Sequence, residues 1–134
     1  MSTRQTILLV EDDPDLLRFA DVTLRLGGYR VYTATDGLSA LSAARKVRPA
    51  MMLLDLRLPG LDGWQVLKVM GEDPVLRDLP VIVVTATADA GSRPLTEAAG
   101  VTEYLIKPLS ADALLAAVER VLSRPRQRVP KRRP

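Results

Sequence analysis

The chain has 134 residues, of which 47% are hydrophobic and none is cysteine or histidine, so it suits one compact domain without disulfides, thiol chemistry or phosphohistidine. Its formal net charge of +3 is concentrated at the C-terminus, because six of the 19 basic residues lie in residues 124–134. Residues 1–123 carry 13 basic and 16 acidic residues, a net charge of −3, which gives no reason to expect nucleic-acid binding by the body of the domain.

Five short apolar segments alternate with five amphipathic segments along the chain. The apolar segments predict strands, in chain order, at Ile7–Val10, Arg30–Ala34, Met51–Leu54, Val81–Val84 and Glu103–Ile106. The amphipathic segments predict helices at Pro14–Leu26, Gly37–Lys46, Trp64–Met70, Arg93–Ala99 and from Ser110 onward. Such alternation is typical of a parallel sheet with helices on both faces, joined by right-handed crossovers into a doubly wound α/β fold.

The fourth of these helices has the weakest pattern. Residues 89–99 contain Gly91 and Pro94, and proline is tolerated only in the first turn of a helix. We therefore expect this helix to be short or irregular. The first and fifth helices are better defined, because Asp13 and Ser110 are natural N-caps.

Polar residues follow four of the predicted strands. They are Glu11-Asp12-Asp13 after the first strand, Asp55 after the third, Thr85-Ala86 after the fourth and Lys107-Pro108 after the fifth. In a doubly wound sheet these strand ends are neighbours, and ligand sites lie at that edge. The pattern therefore predicts a shallow pocket in which carboxylates, a hydroxyl and an ammonium group converge.

Converging carboxylates repel one another. Two charges about 4 Å apart cost on the order of 4 kcal/mol at an effective dielectric constant near 20, so Glu11, Asp12 and Asp55 need a cation or shared protons. Oxygen ligands with few protein contacts suit Mg²⁺. With Lys107 and Thr85 added, the pocket matches phosphoryl transfer to a carboxylate nucleophile.

Four motifs stand in order along the chain, each at a predicted strand end. They are Ile7–Asp13, Leu53–Gly60, Val83–Ala86 and Tyr104–Pro108. With these motifs the chain resembles response-regulator receiver domains of two-component signalling, from about Thr6 to Leu122. The resemblance implies a flavodoxin-like fold, similar to chemotaxis regulators, with strand order 2-1-3-4-5. It also implies a Mg²⁺ cofactor and a phosphoryl donor that is a sensor histidine kinase or a phosphotransfer protein.

The resemblance also implies a metal-binding role for four residues. Asp55 corresponds to the phosphoacceptor of the family and contributes to the metal site. Asp12 corresponds to the direct Mg²⁺ ligand, and Glu11 to a residue that acts mainly through water. Arg57 corresponds to the residue that offers its backbone carbonyl to the metal.

The remaining family positions concern phosphate binding and switching. Lys107 and Thr85 correspond to residues that bind the phosphoryl oxygens, and Ala86 to the small residue that leaves room for them. Thr85 and Tyr104 correspond to the pair that rearranges on phosphorylation. The Lys107–Pro108 peptide bond is expected to be cis, as in the family.

The same residues allow other interpretations. Asp13 is interpreted as a helix cap rather than a metal ligand, and Trp64 as a partly buried packing residue. A phosphatase with an aspartate nucleophile typically has a second aspartate two positions later, where this chain has Arg57. We therefore expect no turnover enzyme. The alternative within the family is a degenerate receiver that acts as a constitutive binding module.

The domain organisation predicted from the sequence is a receiver domain at residues 1–123 and a basic, Pro-rich flexible tail or linker at 124–134. A solvated tail is favoured over a nucleic-acid contact. The polar N-terminus and the absence of an apolar run near 20 residues predict a cytoplasmic protein that has no membrane contact. The output partner is expected to be a protein. The surface of the domain that it contacts is not predicted, because Gly91 and Pro94 make the fourth helix irregular.

Overall fold

The computed structural model describes residues 4–86 and 100–124. In chain order the described elements are β1 (Thr6–Val10), α1 (Pro14–Leu26), β2 (Arg30–Ala34), α2 (Gly37–Val47), β3 (Met51–Asp55), α3 (Gly63–Glu72), β4 (Val81–Thr85), β5 (Glu103–Ile106) and α4 (Ala111–Ser123). The helix predicted as the fifth is therefore α4. The helix predicted at Arg93–Ala99 and the tail after Arg124 lie outside the described residues. Within the described ranges, no helix is long and apolar enough to cross a membrane.

The five strands form one parallel sheet in the order β2-β1-β3-β4-β5, which confirms the predicted doubly wound fold. Val10 at the end of β1 lies beside Leu54, and Asp55 at the end of β3 lies beside Val84. Thr85 at the end of β4 lies beside Ile106. This register brings the carboxyl ends of β1, β3, β4 and β5 level at one edge of the sheet.

Successive residues of the central strands enter two different cores, one on each face of the sheet. Leu8, Met52 and Val83 pack with residues of α2 and α3. Their neighbours Ile7 and Leu53 pack on the opposite face with residues of α1 and α4. A buried side chain of this size stabilises the fold by about 1.5–3 kcal/mol. Burial on both faces is the physical reason for the continuous apolar runs in the sequence.

Side-chain caps fix the start of every described helix. Asp13 accepts a hydrogen bond from the amide of Asp15 at 3.0 Å, as the sequence predicted, and Ser110 accepts one from Ala113 at 3.0 Å. Asp36 caps α2 in the same manner. Asp62 forms a capping box with Gln65, in which each side chain accepts from the other's backbone amide. This box starts α3 at Gly63, one residue before the predicted Trp64.

The C-terminus of α2 contains the one non-glycine residue with positive φ in the described chain, Arg48 at φ 50° and ψ 63°. Left-handed backbone costs a residue with a Cβ roughly 1–2 kcal/mol, and asparagine tolerates it better than arginine. We expect Arg48→Asn to raise the free energy of unfolding by about 0.5–1 kcal/mol, measured by urea denaturation. The matched control is Lys46→Asn inside α2, which should lower it by a few tenths of a kcal/mol. Equal losses in both variants would contradict this account of Arg48.

Candidate functional site

Four strand ends meet at the predicted edge of the sheet and bring the chemically active side chains together. Asp55 ends β3 with only 4% of its surface exposed, and Glu11 follows β1 with 3% exposed. Thr85 ends β4 and is fully buried. Lys107 follows β5 and is half-buried, whereas Asp12 is exposed at the mouth of the site.

Both oxygens of the Asp55 carboxylate accept hydrogen bonds. Its Oδ2 accepts a hydrogen bond from Lys107 Nζ at 3.0 Å, and its Oδ1 accepts one from the backbone amide of Arg57 at 3.0 Å. Lys107 Nζ also lies 3.4 Å from Glu11 Oε1. Burial favours the neutral amine of Lys107, but the hydrogen bond and charge of Asp55, helped by Glu11, outweigh burial and raise the pKa of Lys107. The site therefore contains one ammonium group shared by two buried carboxyl groups.

Glu11 is the acidic residue of the site whose pKa is raised. Burial, followed by a side-chain hydrogen bond to Asp55, raises the pKa of Glu11 from 4.5 to about 7. The backbone amide of Asp13, which donates to Glu11 Oε2 at 3.1 Å, opposes this rise. Near neutral pH Glu11 is therefore partly protonated, which reduces the repulsion expected among the carboxylates of the cluster.

The carboxylates are also spaced to hold a metal ion. One oxygen from each of Glu11, Asp12 and Asp55 lies within 4.8 Å of the other two. Three oxygen donors, one of them exposed to water, fit a small hard cation that keeps several waters in its shell. Asp13 is not part of this group, and its side chain caps α1 as predicted. The donor set therefore fits Mg²⁺.

The other predicted residues lie around this cluster. The carbonyl of Thr85 accepts a hydrogen bond from the Lys107 amide at 2.7 Å, which ties β4 to the residue after β5. Ala86 follows Thr85 and is half-buried. Tyr104 is half-buried on β5, where it packs against the core on the α2 and α3 face. The Lys107–Pro108 bond is cis, as predicted.

A groove beside the cluster of Glu11, Asp12 and Asp55 was not predicted. It has a volume of about 510 Å³, and its lining includes Asp12, Arg57 and Trp64 together with the loop between β3 and α3. Trp64 packs against the core, as predicted, but it also borders this groove. The sequence signal that places it there is the Asp62–Gln65 capping box, because the box fixes where α3 begins. The chain has a single tryptophan, so its fluorescence reports on this edge of the site.

The sequence matches the model of the response regulator receiver domain over residues 7–119. It is 37% identical over 121 residues to the DNA-binding response regulator MtrA of Mycolicibacterium smegmatis, which covers 90% of this chain and 52% of the relative. It is 33% identical over 118 residues to the DNA-binding dual master transcriptional regulator RpaA of Synechocystis, which covers 88% of this chain and 49% of the relative. The chain thus spans about half the length of these relatives.

Two solved structures are similar over most of their length. One is the receiver domain of the sensor histidine kinase PA1611 from Pseudomonas aeruginosa, with a magnesium ion in its active site cleft. It has a TM-score of 0.83 and 35% identity, and covers 91% of this chain and 100% of that one. The other is the chemotaxis response regulator CheY4 of Vibrio cholerae, with a TM-score of 0.83, 28% identity, and coverage of 89% and 99%.

Proposed function

Because the chain belongs to the response regulator receiver family of two-component signalling, we propose that it is a switch that accepts a phosphoryl group on Asp55 in a Mg²⁺-dependent reaction. The observation that carries this proposal is the buried Asp55 carboxylate, which is held by Lys107 and lies beside the carboxyl groups of Glu11 and Asp12. The presence of all these groups, with Thr85 at the neighbouring strand end, argues against a degenerate receiver. The product remains attached to the chain, so we do not propose a turnover enzyme.

In the proposed metal site, Asp12 and Asp55 are direct ligands and Glu11 acts through water. Arg57 contributes its backbone carbonyl. The similar receiver domain of the Pseudomonas aeruginosa kinase has a magnesium ion in its active site cleft, which supports this choice of metal. Bound Mg²⁺ supplies positive charge that neutralises the oxygens of the incoming phosphoryl group.

The proposed reaction uses a phosphohistidine of a sensor kinase or a phosphotransfer protein as donor. An oxygen of the Asp55 carboxylate attacks phosphorus, the P–N bond of the donor breaks, and the imidazole leaves with the bonding electron pair. Lys107, 3.0 Å from Asp55 before the reaction, then pairs with a phosphoryl oxygen. Thr85 donates a hydrogen bond to a second oxygen, and the small side chain of Ala86 leaves space for it.

The proposed response begins at β4 and β5. The aspartyl phosphate carries about two negative charges where the carboxylate carried one, and it places phosphoryl oxygens beside Thr85, which draws the threonine toward the phosphate and lets Tyr104 move inward. Tyr104 lies on β5, so the change reaches the surface formed by β5 and α4. We propose that an output protein contacts this surface. The relatives above are DNA-binding regulators, and this chain spans about half their length, so their DNA-binding output is not transferred to it.

The proposal is tested with beryllofluoride, a phosphoryl mimic, by nuclear magnetic resonance of the whole chain. Adding beryllofluoride with Mg²⁺ is expected to shift the amide signals of Thr85, Ala86 and Tyr104. Signals at the far end of the sheet, such as that of Arg48, should change little. An unchanged spectrum in the presence of both reagents would rule the proposal out.

The raised pKa of Glu11 predicts how Mg²⁺ binding depends on pH. The metal must displace the proton of a carboxyl group with a pKa of about 7, so the apparent affinity should rise about tenfold from pH 6 to pH 8 and then level off. Because the folded-state pKa is raised, the stability that Glu11 contributes is present below about pH 4.5 and is lost as the pH rises through 7. The metal-free protein is therefore expected to lose stability over this range.

The affinity can be measured by titrating Mg²⁺ while following Trp64 fluorescence. Glu11→Gln should weaken binding and flatten its pH dependence, because no proton is then displaced at that position. Equal Mg²⁺ affinity of the wild type at pH 6 and pH 8 would show that Glu11 is not coupled to the metal.

A further inference from the structure

The start of α2 lies in close contact with the loop that follows β3. A Cβ added to Gly37 would overlap the carbonyl oxygen of Leu61, and it would lie 2.9 Å from the carbonyl carbon and 2.9 Å from the Cβ of that residue. Gly37 does not have a positive φ, so alanine could adopt its backbone conformation and has the higher helix propensity. The glycine is therefore explained by the close approach of the loop and not by the conformation of the helix.

The loop that α2 contacts also contains a group that binds Asp55. The backbone amide of Arg57 donates a hydrogen bond to Asp55 Oδ1 at 3.0 Å. Further along the loop, Leu58 is buried in the core on the α2 and α3 face, and Leu61 packs against the same core. The contact with α2 at Leu61 and the packing at Leu58 thus fix the short stretch of backbone that leads from α2 to Arg57.

The segment that leads into α2 is also bonded to the other side of the site. The backbone amide of Glu11 donates to the carbonyl of Ala34, the last residue of β2, at 3.0 Å. Asp36 then caps α2 by accepting a hydrogen bond from the amide of Ser39 at 2.8 Å. Neither Asp36 nor Gly37 belongs to the three-carboxylate group. The start of α2 therefore contacts the segments after β1 and β3, which contain the carboxylates, without contributing a carboxylate itself.

We propose that Gly37 is a positioning residue for the phosphorylation site, because its lack of a side chain lets α2 hold the loop after β3 where Arg57 binds Asp55. The inference rests on the proposed function, in which the Arg57 carbonyl is also a metal ligand. A methyl group at Gly37 displaces Leu61 and with it the backbone of Arg57. Replacing a residue that only orients the ligands of a metal typically weakens metal binding roughly 10- to 100-fold.

The first test compares the Arg57 amide proton in Gly37→Ala and Gly27→Ala by nuclear magnetic resonance of the whole, metal-free chain. Gly27 follows α1 at the opposite edge of the sheet, and a Cβ there would lie 2.6 Å from Leu115 Cδ2, so this control also places a methyl group in a tight contact. The Arg57 signal is expected to move upfield in Gly37→Ala, because its hydrogen bond to Asp55 lengthens. It should stay in place in Gly27→Ala.

The second measurement is the Mg²⁺ affinity of the same variants, followed by Trp64 fluorescence. It should fall at least about tenfold in Gly37→Ala and less than about twofold in Gly27→Ala, while circular dichroism shows that both remain folded. Equal effects of the two variants on the Arg57 signal and on Mg²⁺ affinity would overturn the proposal. The Arg57 signal needs no metal, so it decides the role of Gly37 even where the wild type fails to bind Mg²⁺, a result that would contradict the proposed function instead.

A pair of substitutions at Asp36 tests the same segment without adding an atom to the contact, and it decides the question if Gly37→Ala does not fold. Asp36→Ala removes the cap of α2, whereas Asp36→Asn keeps a capping side chain, and both remove the same charge. The Arg57 signal and the Mg²⁺ affinity should change more in Asp36→Ala than in Asp36→Asn. Equal changes in the pair would show that the start of α2 does not position the site.

Discussion

Asp55→Asn is expected to reduce phosphoryl incorporation to background when the protein is incubated with acetyl phosphate and Mg²⁺. The amide has the shape of the carboxylate but only one acceptor oxygen, so it can keep the hydrogen bond from the Arg57 amide while its NH2 group faces Lys107. It is not a nucleophile, however, and it removes one of the three carboxylates that are spaced for the metal. Intact-mass measurement of the whole protein counts the attached phosphoryl groups directly.

Asp13→Asn is the matched control for this experiment. It removes one negative charge next to Asp12, and asparagine caps a helix about as well as aspartate. Because Asp13 lies outside the three-carboxylate group and caps α1, this variant should be phosphorylated like the wild type. A second outcome, in which Asp13→Asn also blocks incorporation, would mean that Asp13 belongs to the metal site. Wild-type incorporation in Asp55→Asn would instead place the phosphoacceptor elsewhere.

Most of the fold could be predicted because segments that are buried in the core have a recognisable pattern of apolar residues. The central strands β1, β3 and β4 are apolar on both faces, and their predicted ends agree with the observed ends within one residue. The pattern is weaker in the edge strands β2 and β5, where most residues are partly or fully exposed. The rule of right-handed crossovers favoured a doubly wound sheet, and the observed strand order is the one that the resemblance to receiver domains implies.

The position of the candidate site could be predicted because parallel strands bring their carboxyl ends together. The strand-end rule placed Glu11, Asp55 and Lys107 at one edge before any distance was known. The pKa of Glu11 could not be predicted, because it depends on how deeply the carboxyl group is buried and on its contact with Asp55. The contact between Glu103 and Arg124 joins residues 21 positions apart and depends on the rotation of α4 about its axis. Periodicity does not determine such side-chain geometry.

Close backbone packing next to Asp55 could not be predicted from the sequence either, and it predicts a large stability effect. A Cβ added to Gly63 would lie 2.5 Å from the Cα of Leu56 and 2.7 Å from the carbonyl oxygen of Asp55. These are backbone atoms of the site itself, so no side chain can rotate away to make room. The Gly63 amide also donates to the Leu56 carbonyl at 2.9 Å, which holds the start of α3 against this strand end.

We therefore expect Gly63→Ala to lower the free energy of unfolding by roughly 2–3 kcal/mol, measured by urea denaturation with and without Mg²⁺. It should also weaken beryllofluoride binding, because relieving the overlap moves the backbone of Asp55. Gly60→Ala in the same loop is the matched control. Gly60 has φ +68° and no atom within 4 Å of an added Cβ, so its variant has only the left-handed backbone cost of about 1–2 kcal/mol and should bind beryllofluoride normally. If Gly63→Ala proves no less stable than Gly60→Ala and binds beryllofluoride as the wild type does, the start of α3 does not hold the backbone at Asp55, and the loop rather than the helix positions this residue.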